Sequence, residues 1–304
     1  MDFRQKCDNF LLTSRPYSWV GEIARGIFLG LYIHPSAPLG TAVFSATISL
    51  LMWLYFNWQI DWIQKDPGRI SPHILLCYCP LFVTLILCFI NANLTGTVGI
   101  LVYVVTILLY AVKAKYKRMG ILGPLFRIGT IFGQFAMICF AFHYIPDNSL
   151  ILIVLVIAMF KGIRNLIGDI RDINTDKWEI PARYGINVSM GIIRLTIFSM
   201  VILSLFIQQL SILATSLLFF TISGAVLELF FWKFKNNAAS FGYLAHRFLV
   251  ISISVYLIVL TTFVGVPYPF AFLFIFLLVA LQISYNLIPG KSYPSLRTMF
   301  VKTK

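Results

Sequence analysis

The sequence comprises 304 residues, of which 59% are apolar and only 12% are charged, and its mean hydropathy is +0.87. These values exclude an ordinary soluble domain and are typical of a polytopic membrane protein. The formal net charge of +13 does not indicate a nucleic-acid partner in such a chain, because basic loops between membrane spans are the rule. The five cysteines are scattered in or beside apolar runs, so we expect neither a disulfide nor a thiolate metal site.

Apolar segments follow one another along almost the whole chain. A basic stretch precedes the first segment, which lacks a small-residue cleavage site and is therefore predicted to be a retained helix. Several segments approach the roughly 20 residues that cross a bilayer. They fall near residues 19–33, 39–57, 73–90, 98–112, 120–142, 149–165, 186–207, 211–231, 242–265 and 269–288. The sequence therefore predicts one all-α domain over residues 1–304, embedded in the lipid bilayer as a bundle of nine or ten helices around a central cavity.

Among the predicted loops, Lys and Arg are confined to every second one. Loops at 34–38, 91–97, 143–148, 208–211 and 265–269 contain no Lys or Arg. The intervening loops and the C-terminal tail hold most of the cations, and we assign Lys161 and Arg164 to one of these loops. By the positive-inside rule the basic loops and both termini are predicted to be cytoplasmic.

An acidic stretch follows the segment near 149–165. Asp169, Asp172 and Asp176 stand at i, i+3 and i+7, a spacing that on a helix places three carboxylates on one face. Without a cation such a cluster is destabilising, and carboxylates with no nearby thiol or imidazole suit a hard ion such as Mg²⁺. The sequence therefore predicts a magnesium site at the cytoplasmic end of this helix.

A second polar stretch ends the segment near 39–57. Asn57 and Asp61 stand at i and i+4 and share a face, and Asp66 and Arg69 follow in a Pro-Gly turn. Four segments separate this stretch from Asp169, so parity places both on the same side of the membrane. Opposed acidic faces with cations between them suit a diphosphate bound through Mg²⁺. The alternative is that both stretches are ordinary solvated loops whose charges orient the chain.

These two stretches resemble the motifs of the UbiA superfamily of intramembrane prenyltransferases. Asn57 and Asp61 match part of its first motif, in which Trp58 and Lys65 here replace two acids, and the second motif is matched in full by Asp169, Asp172, Asp176 and Lys177. Further similarities, each partial, are Ser14-Arg15-Pro16-Tyr17-Ser18-Trp19, Ile180-Pro181-Ala182-Arg183-Tyr184-Gly185, and Tyr110 with Lys117 and Arg118.

The resemblance implies a role for each of these residues. It implies that Mg²⁺ is the cofactor and that a prenyl diphosphate binds with its head group between the two acidic stretches, with Asp61, Asp169 and Asp172 essential for catalysis. The implied metal ligands are Asn57, Asp61, Asp169, Asp172 and Asp176. The candidates for holding the diphosphate oxygens are Arg69, Lys113, Lys117, Arg118 and Lys177, and Tyr110 is a candidate for contacting the acceptor.

Charges inside the apolar segments are costly in lipid and therefore informative. Glu22 and Arg25 stand three residues apart in the first segment, and they are predicted either to line an acceptor site or to form a structural pair. Other intramembrane charges are predicted to reach the cytoplasmic interface, and the four histidines to have structural or interfacial roles. The interfacial set is Arg127, Arg194, Glu228 and Arg247.

The leading hypothesis is a Mg²⁺-dependent enzyme that transfers a prenyl group from a polyprenyl diphosphate to an aromatic acceptor within the membrane. The first alternative is a membrane-bound terpene cyclase of the same superfamily, which ionises the diphosphate without an acceptor. A phosphoribosyltransferase of the superfamily and a non-enzymatic transporter or lipid-binding protein are the remaining alternatives, and the transporter does not explain the acidic triad.

Overall fold

The fold consists of nine α-helices in the part of the chain that can be described. The computed structural model describes residues 15–64, 74–90, 96, 98–101, 103–105, 108–109, 122–174, 179–234 and 236–287. A short 3₁₀ helix, Pro16–Ser18, precedes the first α-helix, and the described residues between 96 and 109 are also helical. The α-helices are α1 (Trp19–Ile33), α2 (Pro38–Gln64), α3 (Ile74–Ile90), α4 (Leu122–Ala141), α5 (Asn148–Arg171), α6 (Ile180–Ser204), α7 (Leu210–Phe234), α8 (Ala238–Phe263) and α9 (Tyr268–Leu287).

This architecture confirms the predicted all-α membrane bundle. Each α-helix coincides with one predicted apolar segment, and the helical residues between 96 and 109 coincide with the remaining one. Six of the described helices are long and apolar enough to cross a membrane by length and composition, namely α2 and α4 to α8. The chain is therefore a multi-pass membrane protein. The orientation of its termini, its division into a single domain and the central cavity stay predictions.

Local sequence signals explain where several helices begin. The carboxylate of Asp147 accepts a hydrogen bond of 2.7 Å from the backbone N–H of Leu150 and caps α5. Asn237 caps α8 in the same way, since its Oδ1 accepts a hydrogen bond of 3.1 Å from the backbone N–H of Ser240. Such side chains satisfy backbone donors that have no partner in the first turn of a helix. In α6, Gly185 has a φ of 83°, which favours glycine, and the regular apolar helix starts directly after it, where the sequence predicted it to start.

Helix α5 lies at the centre of the bundle. It packs against α4, α6 and α8, and α1 packs against α2 and α8. Glycines allow the close approach of α1 to α2, since a Cβ atom on Gly26 would lie only 2.4 Å from the carbonyl oxygen of Ser45. Large apolar side chains such as Leu195, Phe198 and Trp232 face outward, as expected for a surface covered by lipid.

The structure corrects the position of two predicted loop cations. Lys161 and Arg164 lie inside α5, which continues to Arg171, and they are only 3% and 8% exposed. Their assignment to a cytoplasmic loop was wrong. The physical reason is that side chains from other helices solvate these cations, which the sequence of one segment does not reveal.

Candidate active site

The acidic stretch begins in α5 and leaves it immediately. Asp169 lies in the last turn, and Asp172 is the C-cap, whose backbone N–H donates to the carbonyl oxygen of Gly168 at 3.1 Å. Residues 172–174 form a turn. The prediction of three carboxylates on one continuous helix was therefore wrong, because the helix ends before Asp176, which lies outside the described residues. The spacing argument holds for Asp169 and Asp172.

Each of these two carboxylates contacts a polar neighbour. Asn165 Nδ2 donates to Asp169 Oδ2 at 3.4 Å, and Arg171 donates to both oxygens of Asp172, from Nε at 2.8 Å and from Nη2 at 2.5 Å. Both carboxylates are partly exposed. They thus lie at the end of the bundle with one arginine offsetting part of their charge.

Asn57 contributes a buried oxygen from α2. Its side chain is fully buried, its Nδ2 donates to the carbonyl oxygen of Trp53 at 2.8 Å, and its Oδ1 has no hydrogen-bond partner among the described residues. Amide and carboxylate oxygens are the donors that Mg²⁺ prefers, so Asn57, Asp169 and Asp172 fit the predicted ion in their chemistry. No group of three or more Asp, Glu, His or Cys side chains forms a metal cluster within the described part of the chain, from which the side chains of Asp61 and Asp176 are absent.

Deeper in the bundle lies a buried cluster that joins α1, α4 and α5. Glu22 Oε1 accepts a hydrogen bond of 2.6 Å from Lys161 Nζ, and Glu22 Oε2 forms an ion pair with Arg25. The guanidinium of Arg25 also donates to Gln134 Oε1, and Gln134 Nε2 donates to the carbonyl oxygen of Ser49 at 3.2 Å. Glu22, Arg25, Gln134 and Lys161 are each at most 3% exposed. We call Glu22, Arg25 and Lys161 the buried ion triad.

Aromatic rings border the buried ion triad. Lys161 Nζ lies 5.4 Å from the ring centroid of Trp53, and Arg127 Cζ lies 5.2 Å from the same ring and 4.3 Å from that of Phe56. These distances are within the range of cation–π attraction. Because Asn57 is hydrogen-bonded to the backbone of Trp53, the rings connect the triad to the first polar stretch.

The buried ion triad and the acidic pair share one side of α5. Lys161, Asp169 and Asp172 fall within about a quarter of the helix circumference at 3.6 residues per turn. Along the axis, Lys161 lies about 12 Å from Asp169 and about 16 Å from Asp172 at 1.5 Å per residue. The arrangement is a carboxylate pair at the end of the bundle with a buried cationic cluster below it.

Comparison with known proteins identifies the fold. No protein-family model matches the sequence, and no curated protein sequence is significantly similar to it. The solved structure of a UbiA homolog from Archaeoglobus fulgidus bound to Cd²⁺ superposes with a TM-score of 0.61 at 14% identity, covering 82% of this chain and 99% of that one. The chain has the UbiA fold. A structure of the Archaeoglobus fulgidus UbiA homolog bound to GPP and Mg²⁺ gives a TM-score of 0.59 at 13% identity, over 82% of this chain and 99% of that one.

A third solved structure with the UbiA fold comes from work on digeranylgeranylglyceryl phosphate synthase in membranes. It superposes with a TM-score of 0.57 at 16% identity and covers 85% of this chain and 98% of its own. Nearly the whole of each solved chain therefore corresponds to this one. At these identities the likeness establishes the fold, which the two motifs had indicated from the sequence.

Several predicted site residues lie outside the described part of this UbiA fold. The backbone of Asp61 continues α2, but its side chain is outside the described residues. Seven further residues lie wholly outside the described part of the chain, namely Asp176, Arg69, Lys113, Lys117, Arg118, Lys177 and Tyr110. Their predicted roles in metal, diphosphate and acceptor binding therefore stay predictions.

The predicted intramembrane charges have different outcomes. Arg127 was predicted to reach the interface, but it is 7% exposed and lies on aromatic rings inside the bundle. Arg194 and Glu228 form an outward-facing bidentate pair with distances of 2.7 Å and 2.8 Å. Arg247 lies 4.4 Å from the ring of Tyr243 within α8.

The sequence reasoning missed Lys161, Gln134 and the pair formed by Arg164 and His246. Arg164 Nε lies 3.5 Å from His246 Nε2, at a depth between the triad and the acidic pair. One signal was available for Lys161, since its spacing of eleven residues from Asp172 places both on one side of a helix. No comparable signal within the sequence pairs Gln134 with Arg25, because 109 residues separate them.

Proposed function

We propose that this protein is a Mg²⁺-dependent prenyltransferase that moves a prenyl group from a polyprenyl diphosphate to an aromatic acceptor within the membrane. The observation that carries the proposal is the placement of the Asp169 and Asp172 carboxylates and the buried ion triad on one side of α5. An anionic site at the end of the bundle and a mainly cationic site deeper inside it suit two substrates whose reacting groups meet between the sites. One structure with this fold was solved with GPP and Mg²⁺, which supports a prenyl diphosphate as donor.

The acidic pair serves the diphosphate end of the donor. Asn57, Asp61, Asp169, Asp172 and Asp176 would hold the ion, which when bound offsets the charge that develops on departing diphosphate. Arg69, Lys113, Lys117, Arg118 and Lys177 are proposed to bind the diphosphate oxygens. The bond between the donor's first carbon and its oxygen breaks, and the electron pair leaves with diphosphate.

The rings that border the buried ion triad are proposed to serve the allylic cation that remains. Trp53 and Phe56 stack on one another, with ring centroids 5.6 Å apart, and already hold Arg127 against their faces. Aromatic ring faces also stabilise carbocations, and the aromatic lining of which these rings are part is proposed to serve that role. The acceptor attacks this cation to form the new bond and then loses one proton, and Glu22, Arg25 and Tyr110 are proposed to bind the acceptor.

The buried ion triad favours transfer over cyclisation. A cyclase gains from an apolar chamber that excludes groups able to trap the cation, whereas this chain places a carboxylate, a guanidinium and an ammonium below the acidic pair. A polar binding site for a second substrate explains why these charged groups are buried despite the free energy that their desolvation costs.

The test is an assay of purified protein with geranyl, farnesyl and geranylgeranyl diphosphates, with and without Mg²⁺, and with and without a panel of aromatic acids and quinone precursors. Mass spectrometry of the lipid extract should show a product that carries the mass of the acceptor and forms only with Mg²⁺. A cyclic hydrocarbon or terpene alcohol made efficiently without acceptor would replace this proposal with the cyclase.

A further inference from the structure

An ion pair lies on the outer surface of the bundle, between α6 and α7. Arg194 Nε donates to Glu228 Oε1 at 2.7 Å, and Arg194 Nη2 donates to Glu228 Oε2 at 2.8 Å. The side chains of Arg194 and Glu228 are 51% and 43% exposed, in contrast to those of the buried ion triad. Their charged groups therefore face the surroundings of the protein.

This outer ion pair lies within the depth of the membrane. The regular part of α6 begins at Ile186, and Arg194 lies about 12 Å further along the helix axis. Glu228 lies about 9 Å before the end of α7 at Phe234. Half the thickness of the hydrocarbon core is about 15 Å. Lipid chains cover apolar side chains well, but they offer no hydrogen bonds to a guanidinium or a carboxylate.

The surface around the outer ion pair has the spacing of a helix-packing face. In α7, six outward-facing residues follow one another at alternating intervals of four and three, as along the seam of a coiled coil. In α6, Gly191 precedes Arg194 by three residues, and a Cβ atom on Gly191 would meet nothing within 4 Å. Small residues on a membrane helix allow another helix to approach closely. The residues in α7 are Ala214, Leu218, Thr221, Ala225, Glu228 and Trp232.

We propose that this face of α6 and α7 binds a second copy of the chain, with the two-fold axis along the bilayer normal. A two-fold interface requires a surface that is complementary to itself. One cation and one anion on the same surface meet this requirement, because Arg194 can pair with the partner's Glu228 while Glu228 pairs with the partner's Arg194. Another membrane protein would need a matching pair of its own at the same depth.

The geometry of the outer ion pair fits this exchange. Rotation about an axis along the bilayer normal keeps every residue at its depth, and Arg194 and Glu228 share one depth because they are in direct contact. The contact within the chain uses two of the five N–H groups of the guanidinium. The remaining N–H groups are available to the second copy, so two guanidinium and two carboxylate groups form a closed cluster away from lipid. The proposal is independent of the reaction that the protein catalyses.

Charge reversal tests whether the two charges act between copies. Arg194→Glu gives the surface two anionic groups and Glu228→Arg gives it two cationic groups, so each variant should associate with itself at least about a hundredfold more weakly than the wild-type protein does. An equimolar mixture of the two variants should form heterodimers, and the double variant Arg194→Glu/Glu228→Arg should form homodimers again. The exposed Lys233 lies off the stripe of α7, and Lys233→Glu is the matched control that should leave association unchanged.

Association is measured as energy transfer between full-length copies that carry a donor or an acceptor fluorophore at the C-terminus, in phosphatidylcholine vesicles that are diluted stepwise with lipid. A second variant leaves both charges in place. Ala225→Phe adds a large side chain to the exposed stripe and should weaken association at least about tenfold, because it holds the two copies apart.

Three results would overturn the proposal. The first is a wild-type protein that stays monomeric at every dilution. The second is association of both single reversals as strong as that of the wild-type protein, which would place the dimer interface elsewhere. The third is a mixture of the two reversals that stays monomeric, since the charges then act only within one chain. Retention of anionic phospholipid by a monomeric wild-type protein, lost in Arg194→Glu, would assign the outer ion pair to a lipid head group instead.

Discussion

The buried ion triad predicts an unequal response of stability to the removal of its charges. Glu22 accepts from Lys161 at 2.6 Å and pairs with Arg25, so Glu22→Gln leaves two buried cations without a carboxylate. Removing one partner of a buried ion pair costs about 3–5 kcal/mol in the free energy of unfolding. Lys161→Met leaves Glu22 paired with Arg25 and replaces a buried stem by one of similar size. Its cost is expected to stay below about 2 kcal/mol.

The measurement is the reversible unfolding of the purified protein in mixed micelles as the fraction of a denaturing detergent increases. Glu22→Gln should unfold at a clearly lower fraction than Lys161→Met, and Lys233→Met should match the wild-type protein. The prediction follows from two cations sharing one carboxylate. A loss of stability in Lys161→Met equal to or larger than that in Glu22→Gln would show that the triad is not organised around Glu22.

Three further predictions test the acidic pair, the topology and the packing beside the site. Asp169→Asn and Asp172→Asn should each lower turnover by about a hundredfold or more without unfolding the protein. The control Asp147→Asn, at the other end of α5, should stay active because Asn also caps a helix. Near-normal turnover of Asp169→Asn and Asp172→Asn at saturating Mg²⁺ would contradict the metal assignment. In a cysteine-free background, cysteines at the exposed Asn236 and Ile145 should react with an impermeant reagent from opposite faces of the membrane, with Asn236 cytoplasmic, and labelling from one face refutes the predicted orientation. Gly242→Ala places a Cβ atom 2.4 Å from the backbone nitrogen of Arg171, so it should lower the free energy of unfolding by about 1–3 kcal/mol and reduce turnover. Gly191→Ala, whose Cβ atom would meet nothing within 4 Å, should have neither effect. Equal effects of the two variants would show that α8 does not position the end of α5.

The sequence predicted the helices well because the bilayer constrains them strongly. A membrane span must be long, apolar and continuous, and each of these properties is local in sequence. The segment predicted from residue 186 begins directly after the positive φ of Gly185. Contacts between helices are a different matter, since a glycine such as Gly242 does not reveal from its own surroundings that Arg171 packs against it.

The acidic pair was predictable, and so was the pairing of Glu22 with Arg25, but the contacts that join this pair to Lys161 and Gln134 were not. Asp169 and Asp172 are close in sequence, and like charges at helical spacing indicate a bound cation. The partners of Lys161 and Arg25 are 139 and 109 residues away. Lys161 was therefore assigned to a cytoplasmic loop, because its neutralising carboxylate, Glu22, lies in another helix.

The displacement of Lys161 and Arg164 from a loop into the bundle leaves the predicted orientation intact. The basic loop after α5 still contains Lys177, and Arg183 follows it, while the opposite loops remain without Lys or Arg. What changes is the meaning of the two cations inside α5. A cation in a loop can be exchanged for another cation nearby with little effect on topology. Lys161, in contrast, has two fixed contacts, since its Nζ lies 2.6 Å from Glu22 Oε1 and 5.4 Å from the ring centroid of Trp53. Lys161→Arg therefore preserves the charge count and still alters the triad, because a planar guanidinium does not substitute for an ammonium in a closed site.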